Sequence, residues 1–142
     1  MLCVAAVRLV IDTNVLVAAL LTPGRTPARA LDAVAAGREY VVVYDDRIEA
    51  EYRAVLARPK FRALDRGRVD ALLASLLAGA ERLAEVAPWA GAMTDADDRA
   101  FVEVALAGRA DAVVTGNARH YPTGLAFEVL SPAALLERIA PH

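Results

Sequence analysis

Residues 10–21 read VIDTNVLVAALL, and this stretch decides the fold. An apolar run typical of a buried strand, Val7–Ile11, meets a helical run, Asn14–Leu21, and Asp12 stands at their junction. A carboxylate there needs a partner, because burying an unpaired charge is very unfavourable. Asp12 either caps the following helix or binds a ligand at the end of the strand.

Strands and helices alternate along the rest of the chain. Further strands are predicted at Tyr40–Tyr44, Leu83–Val86, Asp111–Thr115 and Phe127–Leu130. Helices are predicted between them, at 26–37, from Asp45 or Asp46 to before Pro59, at 66–80, at 97–107 and from Ser131-Pro132. This alternation predicts an α/β fold, a central parallel sheet of about five strands with helices on both faces. We find no repeat or linker, which predicts one domain over residues 1–142.

Composition narrows the class of protein. The chain has 142 residues, 57% of them hydrophobic, and a net charge of −2, which is a globular balance that does not indicate nucleic acid or membrane binding by itself. Cys3 is the single cysteine, which excludes an internal disulfide and a thiolate metal cluster. Arg8 interrupts the first apolar run, and the run Leu9–Leu21 is too short to span a bilayer. We expect a cytoplasmic protein without a membrane segment.

Polar residues follow four of the predicted strands. Asp12 follows the first, Asp45 the second, Thr115-Gly116-Asn117 the strand DAVVT, and Ser131 the last. Ligands of parallel sheets bind at the carboxyl ends of the strands. The sequence therefore predicts a site at this edge, although helix capping and turn formation are simpler roles for each residue taken alone.

Two helices offer further carboxylates. At 100° per residue, Asp98 shares the apolar stripe of its helix, so it points inward, unless it only complements the helix dipole. Glu49 and Glu51 flank the apolar stripe of the helix after YVVVY at similar angles, so periodicity does not choose between them, and either can be a solvated charge.

Together these acids indicate a cation site. Asp12, Asp98 and one glutamate converging at a sheet edge would repel one another without a cation. An all-oxygen site without Cys suits Mg²⁺ or Mn²⁺ rather than Zn²⁺. The chemistry that follows is metal-assisted hydrolysis of a phosphodiester.

Four segments of the chain resemble the PIN-domain family: VIDTNVLVAALL (10–21), IEAEYRAVLARPKF (48–61), DADDRAFVEVALAGRADAVVTGN (95–117) and NARHYP (117–122). They span nearly the whole chain, and the branch they resemble contains VapC-like toxin components of bacterial toxin–antitoxin systems. The resemblance implies a PIN-like fold and a ribonuclease that uses Mg²⁺ or Mn²⁺ and leaves a 5′-phosphate and a 3′-hydroxyl. It also implies RNA as substrate, a separate antitoxin protein as partner, and a homodimer.

Carried over to this chain, the resemblance implies that Asp12, Glu51 and Asp98 are the catalytic residues and metal ligands. It favours Glu51 over Glu49 because the family's glutamate precedes a bulky residue and then a VL pair, as in EYRAVL. The family's fourth acidic position falls at Asn117, a departure that leaves one fewer charge for a second metal.

Other side chains have supporting roles in this hypothesis. Four polar residues would orient carboxylates and waters: Thr13, Asn14, Thr115 and Asn117. Cations in or near loops are candidates for RNA phosphates, although each alone can be a solvated surface charge: Arg25, Arg29, Arg58, Lys60, Arg62, Arg66, Arg68 and Arg119. Of these, Arg25, Arg62 and Arg119 are the residues predicted to contact RNA.

Asn117 also permits an alternative, a catalytically inactive PIN-fold module for RNA binding or assembly. Two other α/β classes fit less well. An aspartyl-phosphate phosphatase would have a second Asp where Asn14 stands, and a P-loop or Rossmann protein would have a Gly-rich loop after the first strand.

Overall fold

The computed structural model describes residues 6–37 and 39–139, so Cys3 and both ends of the predicted domain lie outside the described residues. Five strands form the sheet: β1 (Val7–Ile11), β2 (Tyr40–Tyr44), β3 (Glu81–Arg82), β4 (Ala112–Val114) and β5 (Glu128–Leu130). The α-helices are α1 (Thr13–Leu21), α2 (Thr26–Ala36), α3 (Asp46–Leu56), α4 (Arg66–Leu77), α5 (Arg99–Ala107) and α6 (Pro132–Ile139). Short 3₁₀ helices occur at Pro59–Phe61, Ala96–Asp98 and Ala118–His120.

The predicted α/β fold with a parallel sheet is confirmed. All strand pairs are parallel, in the order β3-β2-β1-β4-β5. Three successive residues of β1, Leu9, Val10 and Ile11, are fully buried. Because neighbouring side chains of a strand point to opposite faces, both faces of the sheet are covered at its centre. Within the described ranges, no helix has the length and apolar character that a membrane crossing requires.

The order of the strands creates a crevice beside β1. The chain passes from β1 to β2 and β3 on one side, then crosses to β4 and β5 on the other. Asp12 directly follows β1 and Thr115 directly follows β4, and the backbone N–H of Asp12 donates to the carbonyl of Val114 at 2.9 Å. Such a reversal of strand order is where open α/β sheets bind their ligands.

The third strand lies earlier than predicted. The prediction Leu83–Val86 is wrong, because the paired residues are Glu81–Arg82. The N–H of Leu83 still donates to the carbonyl of Tyr44 at 2.8 Å, but the chain after it is irregular and its apolar side chains pack against the core. The apolar residues of 83–86 indicate that this segment is partly buried, but they do not show that it forms a strand. Which residues form β3 depends on which of them meet the free edge of β2.

Helix caps follow the sequence at several positions. Asp12 caps α1 by accepting the N–H of Asn14 at 3.4 Å, as one interpretation required. Asp45, rather than Asp46, caps α3 by accepting the N–H of Ile48 at 3.0 Å.

The boundaries of three other helices differ from the prediction, whereas the start of α6 matches it. The pair Thr26-Pro27 predicts that Thr26 caps α2, but Thr26 is the first residue of the helix, and the preceding Arg25 makes no side-chain cap. The predicted helix at 97–107 begins as the 3₁₀ turn Ala96–Asp98 before α5, and α4 ends at Leu77 rather than residue 80. Ser131 caps α6 as predicted, accepting the N–H of Ala134 at 3.0 Å.

Candidate functional site

An open cleft of about 440 Å³ lies at the carboxyl edge of the sheet beside β1. Four acidic side chains line it: Asp12, Glu51, Asp95 and Asp98. Other polar and basic lining residues are Thr13, Asn14, Arg58, Lys60, Asn117 and His120. The fold thus brings together carboxylates from three distant parts of the chain.

Hydrogen bonds hold the side chain of Asp12 in one orientation. It is only 4% exposed, and its Oδ2 accepts hydrogen bonds from the hydroxyls of Thr115 and Tyr121, both at 2.9 Å. Its Oδ1 accepts the N–H of Asn14 at 3.4 Å. Three donors therefore satisfy the oxygens of the buried carboxylate and fix its orientation.

Thr115 is the centre of this hydrogen-bond network. Its fully buried hydroxyl donates to Asp12 and accepts from the Asn14 amide at 3.2 Å and the N–H of Asn117 at 3.0 Å. The carbonyl oxygen of the Asn14 side chain accepts the N–H of Gly116 at 2.9 Å. All hydrogen-bonding capacity of the Thr115 hydroxyl is used, so the two strand ends are tied together.

Thr115→Val tests this network. The substitution keeps the shape of the side chain but leaves an amide, a backbone N–H and one carboxylate bond without their partner, so we expect a loss of about 1–3 kcal/mol in the free energy of unfolding. Urea unfolding measures it. Thr22→Val is the control, because the exposed Thr22 makes one local bond to the carbonyl of Ala18, and its loss should stay below about 0.5 kcal/mol. Equal losses in both variants would contradict the network.

Tyr121 belongs to the site although sequence reasoning assigned it no role. It is 4% exposed and donates its hydroxyl to Asp12. Burial, together with the charges of Asp12 and Asp98, raises the pKa of Tyr121, so the phenol stays protonated and remains a donor. Its only signal in the sequence is its place in the segment NARHYP.

Glu51 faces the cleft from α3. The hydroxyl of Thr13 donates to its Oε2 at 2.5 Å. Burial is the main cause that raises the pKa of Glu51, the Thr13 bond opposes it, and the charge of Asp12 adds to it. Glu49 lies outside the cleft and pairs with Arg53 at 3.0 Å, so the structure distinguishes the two glutamates where periodicity did not.

Asp98 is the last residue of the 3₁₀ turn and occupies the N-cap position of α5, and its N–H donates to the carbonyl of Asp95 at 3.1 Å. Burial, followed by repulsion from Asp12, Asp95 and Glu51, raises the pKa of Asp98 to about 7. Asp95 also lines the cleft, and it caps the turn by accepting the N–H of Asp97 at 2.9 Å.

The chemistry of the donors fits a hard divalent cation. The acids are oxygen ligands only, which suits Mg²⁺ or Mn²⁺, and their mutual repulsion is the kind that a cation relieves. Within residues 6–37 and 39–139, no three Asp, Glu, His or Cys side chains form a group spaced for a metal ion. Binding would therefore require the carboxylate side chains to close around the ion by rotating about their torsions.

Two cationic side chains line the acidic cleft. Arg58 and Lys60 line it, and the Lys60 ammonium lies 5.1 Å from the centre of the Phe61 ring. Three arginines predicted to contact RNA are exposed but do not line the cleft: Arg25, Arg62 and Arg119. The lysine and arginine side chains that line the cleft are thus Arg58 and Lys60 rather than those three.

Comparisons with known proteins agree with this architecture. The model of the family described as PIN domain matches residues 8–119. A comparison with curated proteins returned no match. Among solved structures, the chain is similar to one in the crystal structure of VapBC2 from Rickettsia felis bound to a DNA fragment from their promoter, with 13% identity, a TM-score of 0.54, and coverage of 87% of this chain and 98% of that one. That likeness shows the fold, and the family model covers most of the chain. The chain belongs to the PIN-domain family.

Proposed function

We propose that the protein is a Mg²⁺- or Mn²⁺-dependent endoribonuclease and the toxin component of a toxin–antitoxin pair. One observation carries the proposal: Asp12, Glu51 and Asp98 share one cleft at the reversal of strand order, where burial and repulsion hold the pKa of Asp98 near 7. Carboxylates arranged in this way without a compensating cation destabilise a fold, so their clustering favours a binding role.

Asp12 and Asp98 would hold the ion, directly or through water, and Glu51 would ligate it or orient the attacking water. When bound, the cation would supply stabilisation of the charge that develops on the phosphate and make a water more acidic. Because Thr115 and Tyr121 occupy Oδ2 of Asp12, its Oδ1 is the oxygen with the weaker protein contact.

Thr13 would keep Glu51 in place, since its hydroxyl donates to the carboxylate. Asn14 and Thr115 would keep Asp12 and the turn after β4 in register. Asn117 contributes only a neutral amide to the cleft, which favours a single tightly held ion over two. Asn117 is also the observation that favours the alternative, an inactive module that binds RNA or assembles with other proteins.

RNA would enter the cleft in contact with its two cationic side chains, Arg58 and Lys60. Arg58 and Lys60 lie beside the acids, so they can contact phosphates that flank the scissile bond. The three arginines that do not line the cleft, Arg25, Arg62 and Arg119, would contribute only to a longer RNA.

The double variant Arg58→Gln/Lys60→Gln should weaken the binding of RNA, measured under conditions in which the RNA is not cleaved, by about tenfold or more at low salt. We expect the slope of log affinity against log salt to fall by about 1–2, because each phosphate contact on a single strand contributes about 0.7. Fluorescence anisotropy over a salt series measures both. Arg109→Gln is the control, since the exposed Arg109 precedes β4 at the opposite edge of the sheet. An unchanged slope in the double variant would show that RNA does not contact these two side chains.

The purified chain tests the proposed activity. We expect it to cleave single-stranded RNA with Mg²⁺ or Mn²⁺, to stop in the presence of a chelator, and to leave 5′-phosphate and 3′-hydroxyl ends. Labelled RNAs of several sequences, resolved on denaturing gels, provide the measurement. RNA binding without cleavage under all metal conditions would favour the inactive module instead.

A separate antitoxin protein and a homodimer complete the proposal. The similar fold in the VapBC2 crystal structure supports the first, because that structure contains a protein pair. Light scattering of the purified chain should give twice the mass of 15.1 kDa, and a protein encoded by an adjacent gene should suppress cleavage when it is co-purified.

A further inference from the structure

An irregular segment at residues 83–95 leads from β3 to the 3₁₀ turn and brings Asp95 and then Asp98 to the cleft. The segment is fixed near its middle, at Trp89. The N–H of Trp89 donates to Oε2 of Glu103 at 2.8 Å, and its carbonyl accepts from Arg99 at 2.6 Å. The loop that contains Asp95 and leads to Asp98 is therefore anchored by two charged side chains that do not line the cleft.

Glu103 is a buried charge with two separate partners. It lies on α5, is 5% exposed, and accepts from Arg47 at its Oε1, at 2.7 Å, as well as from Trp89 at Oε2. Burial by itself would raise the pKa of Glu103, but the hydrogen bonds from Arg47 and Trp89 outweigh it and lower the pKa, so the group stays ionised. Buried carboxylates are rare, and this one has no place in the catalytic roles described above.

The other end of this network reaches the helix that carries Glu51. The Nε of Arg47 donates to Asp45 at 2.8 Å, and Asp45 caps α3. Glu103 thus joins α3, which carries Glu51, to α5, which begins directly after Asp98, and to the loop at Trp89.

We propose that Glu103 is a positioning residue that fixes the loop at 83–95 and, through it, the placement of Asp95 and Asp98 opposite Glu51. The effect on metal binding rests on the proposed function, whereas the effect on the loop does not.

Gly91, within the same loop, packs directly against the indole of Trp89. A Cβ built on Gly91 would lie 1.8 Å from the indole of Trp89, so any larger residue must displace the ring. Arg99 donates to the carbonyl of Gly91 at 2.9 Å, and its guanidinium lies 5.5 Å from the centre of the indole. Gly91→Ala is therefore a second way to move the loop while Glu103 is kept.

Glu103→Gln is the sharper variant. A carboxylate offers one oxygen to each of two donors, whereas an amide has one oxygen and presents N–H groups to the other donor, so one of the two bonds must be lost. We expect amide hydrogen exchange in the loop to accelerate about tenfold or more, and Mn²⁺ affinity, measured by calorimetry, to fall by about tenfold, the loss typical of removing a group that orients a ligand. Gly91→Ala should change both quantities in the same direction.

Two controls separate positioning from general effects. Glu137→Gln makes the same chemical change at an exposed position of α6, and Leu76→Ala lowers stability from the buried face of α4. Neither should change exchange in the loop or Mn²⁺ affinity. Loop exchange that stays as in the wild type in Glu103→Gln would overturn the proposal. If the wild type itself binds no Mn²⁺, the proposed function fails, and the exchange measurement alone decides the role of Glu103.

Discussion

Asp12→Asn should leave the fold intact and reduce metal-dependent RNA cleavage by about 10³-fold or more. Asn has the same shape as Asp, and its one side-chain oxygen can still accept the hydroxyls of Thr115 and Tyr121, so only the long 3.4 Å capping bond from Asn14 is lost. The variant loses the charge that would hold the cation. Because a bound cation contributes several kcal/mol to the transition state and about 1.4 kcal/mol corresponds to a tenfold change in rate, the loss should be large.

Single-turnover cleavage rates and melting curves measure this prediction. Asp32→Asn is the matched control, since Asp32 is an exposed carboxylate on α2, outside the cleft, and its removal should leave the rate unchanged. Cleavage by Asp12→Asn at the wild-type rate would remove Asp12 from the catalytic machinery. A variant that fails to fold would contradict the expectation that the fold tolerates the loss of this one capping bond.

Asp98→Asn should stabilise the metal-free protein while it abolishes metal-induced stabilisation. Burial and neighbouring carboxylates raise the folded pKa of Asp98 to about 7 from an ordinary value of 3.8. Its ionised form is therefore destabilising, fully so above pH 7, and the penalty fades as the pH falls from 7 to about 4. Without metal at pH 8 we expect Tm to rise by a few degrees, since about 1 kcal/mol corresponds to about 2–8 °C in domains of this size range.

The pH dependence makes this prediction specific. The gain in Tm should disappear as the pH falls below 3.8, where Asp98 is mostly protonated in both the folded and unfolded wild type. Added Mn²⁺ should raise Tm of the wild type at pH 8 but not that of the variant. Asp70→Asn, an exposed change on α4, should do neither. A lower Tm of metal-free Asp98→Asn at pH 8 would contradict the proposed repulsion.

The sequence predicted most of the fold because its signals are local. The run Val7–Ile11 followed by Asp12 shows a strand that ends in a helix cap, and the run DAVVT marks the neighbouring strand. Parallel strands place their carboxyl ends together, so the meeting of Asp12 with Thr115 follows from the order of elements. The strand β3 could not be predicted, because two polar residues at an edge pair only when β2 offers them a partner.

The parts of the site that the sequence missed depend on tertiary contacts. Glu49 and Glu51 are equivalent by helical period, and tertiary contacts separate them, because Glu51 lines the cleft and accepts from Thr13 whereas Glu49 lies outside it. Tyr121 lies in an irregular segment where no period indicates its direction, and it reaches Asp12 from 109 residues away. Glu103 lies among the apolar residues of α5, and its burial as a charge depends on a partner from another helix, Arg47 of α3.

Anomalous diffraction from crystals soaked in Mn²⁺ would test most directly whether the three acids share one divalent cation. We expect a single strong peak in the cleft, with oxygens of Asp12, Glu51 and Asp98 contacting it directly or through one water. No peak between Asp12 and Asp98 at saturating Mn²⁺, or a peak elsewhere on the surface, would contradict the assignment of these residues as metal ligands and with it the proposed nuclease.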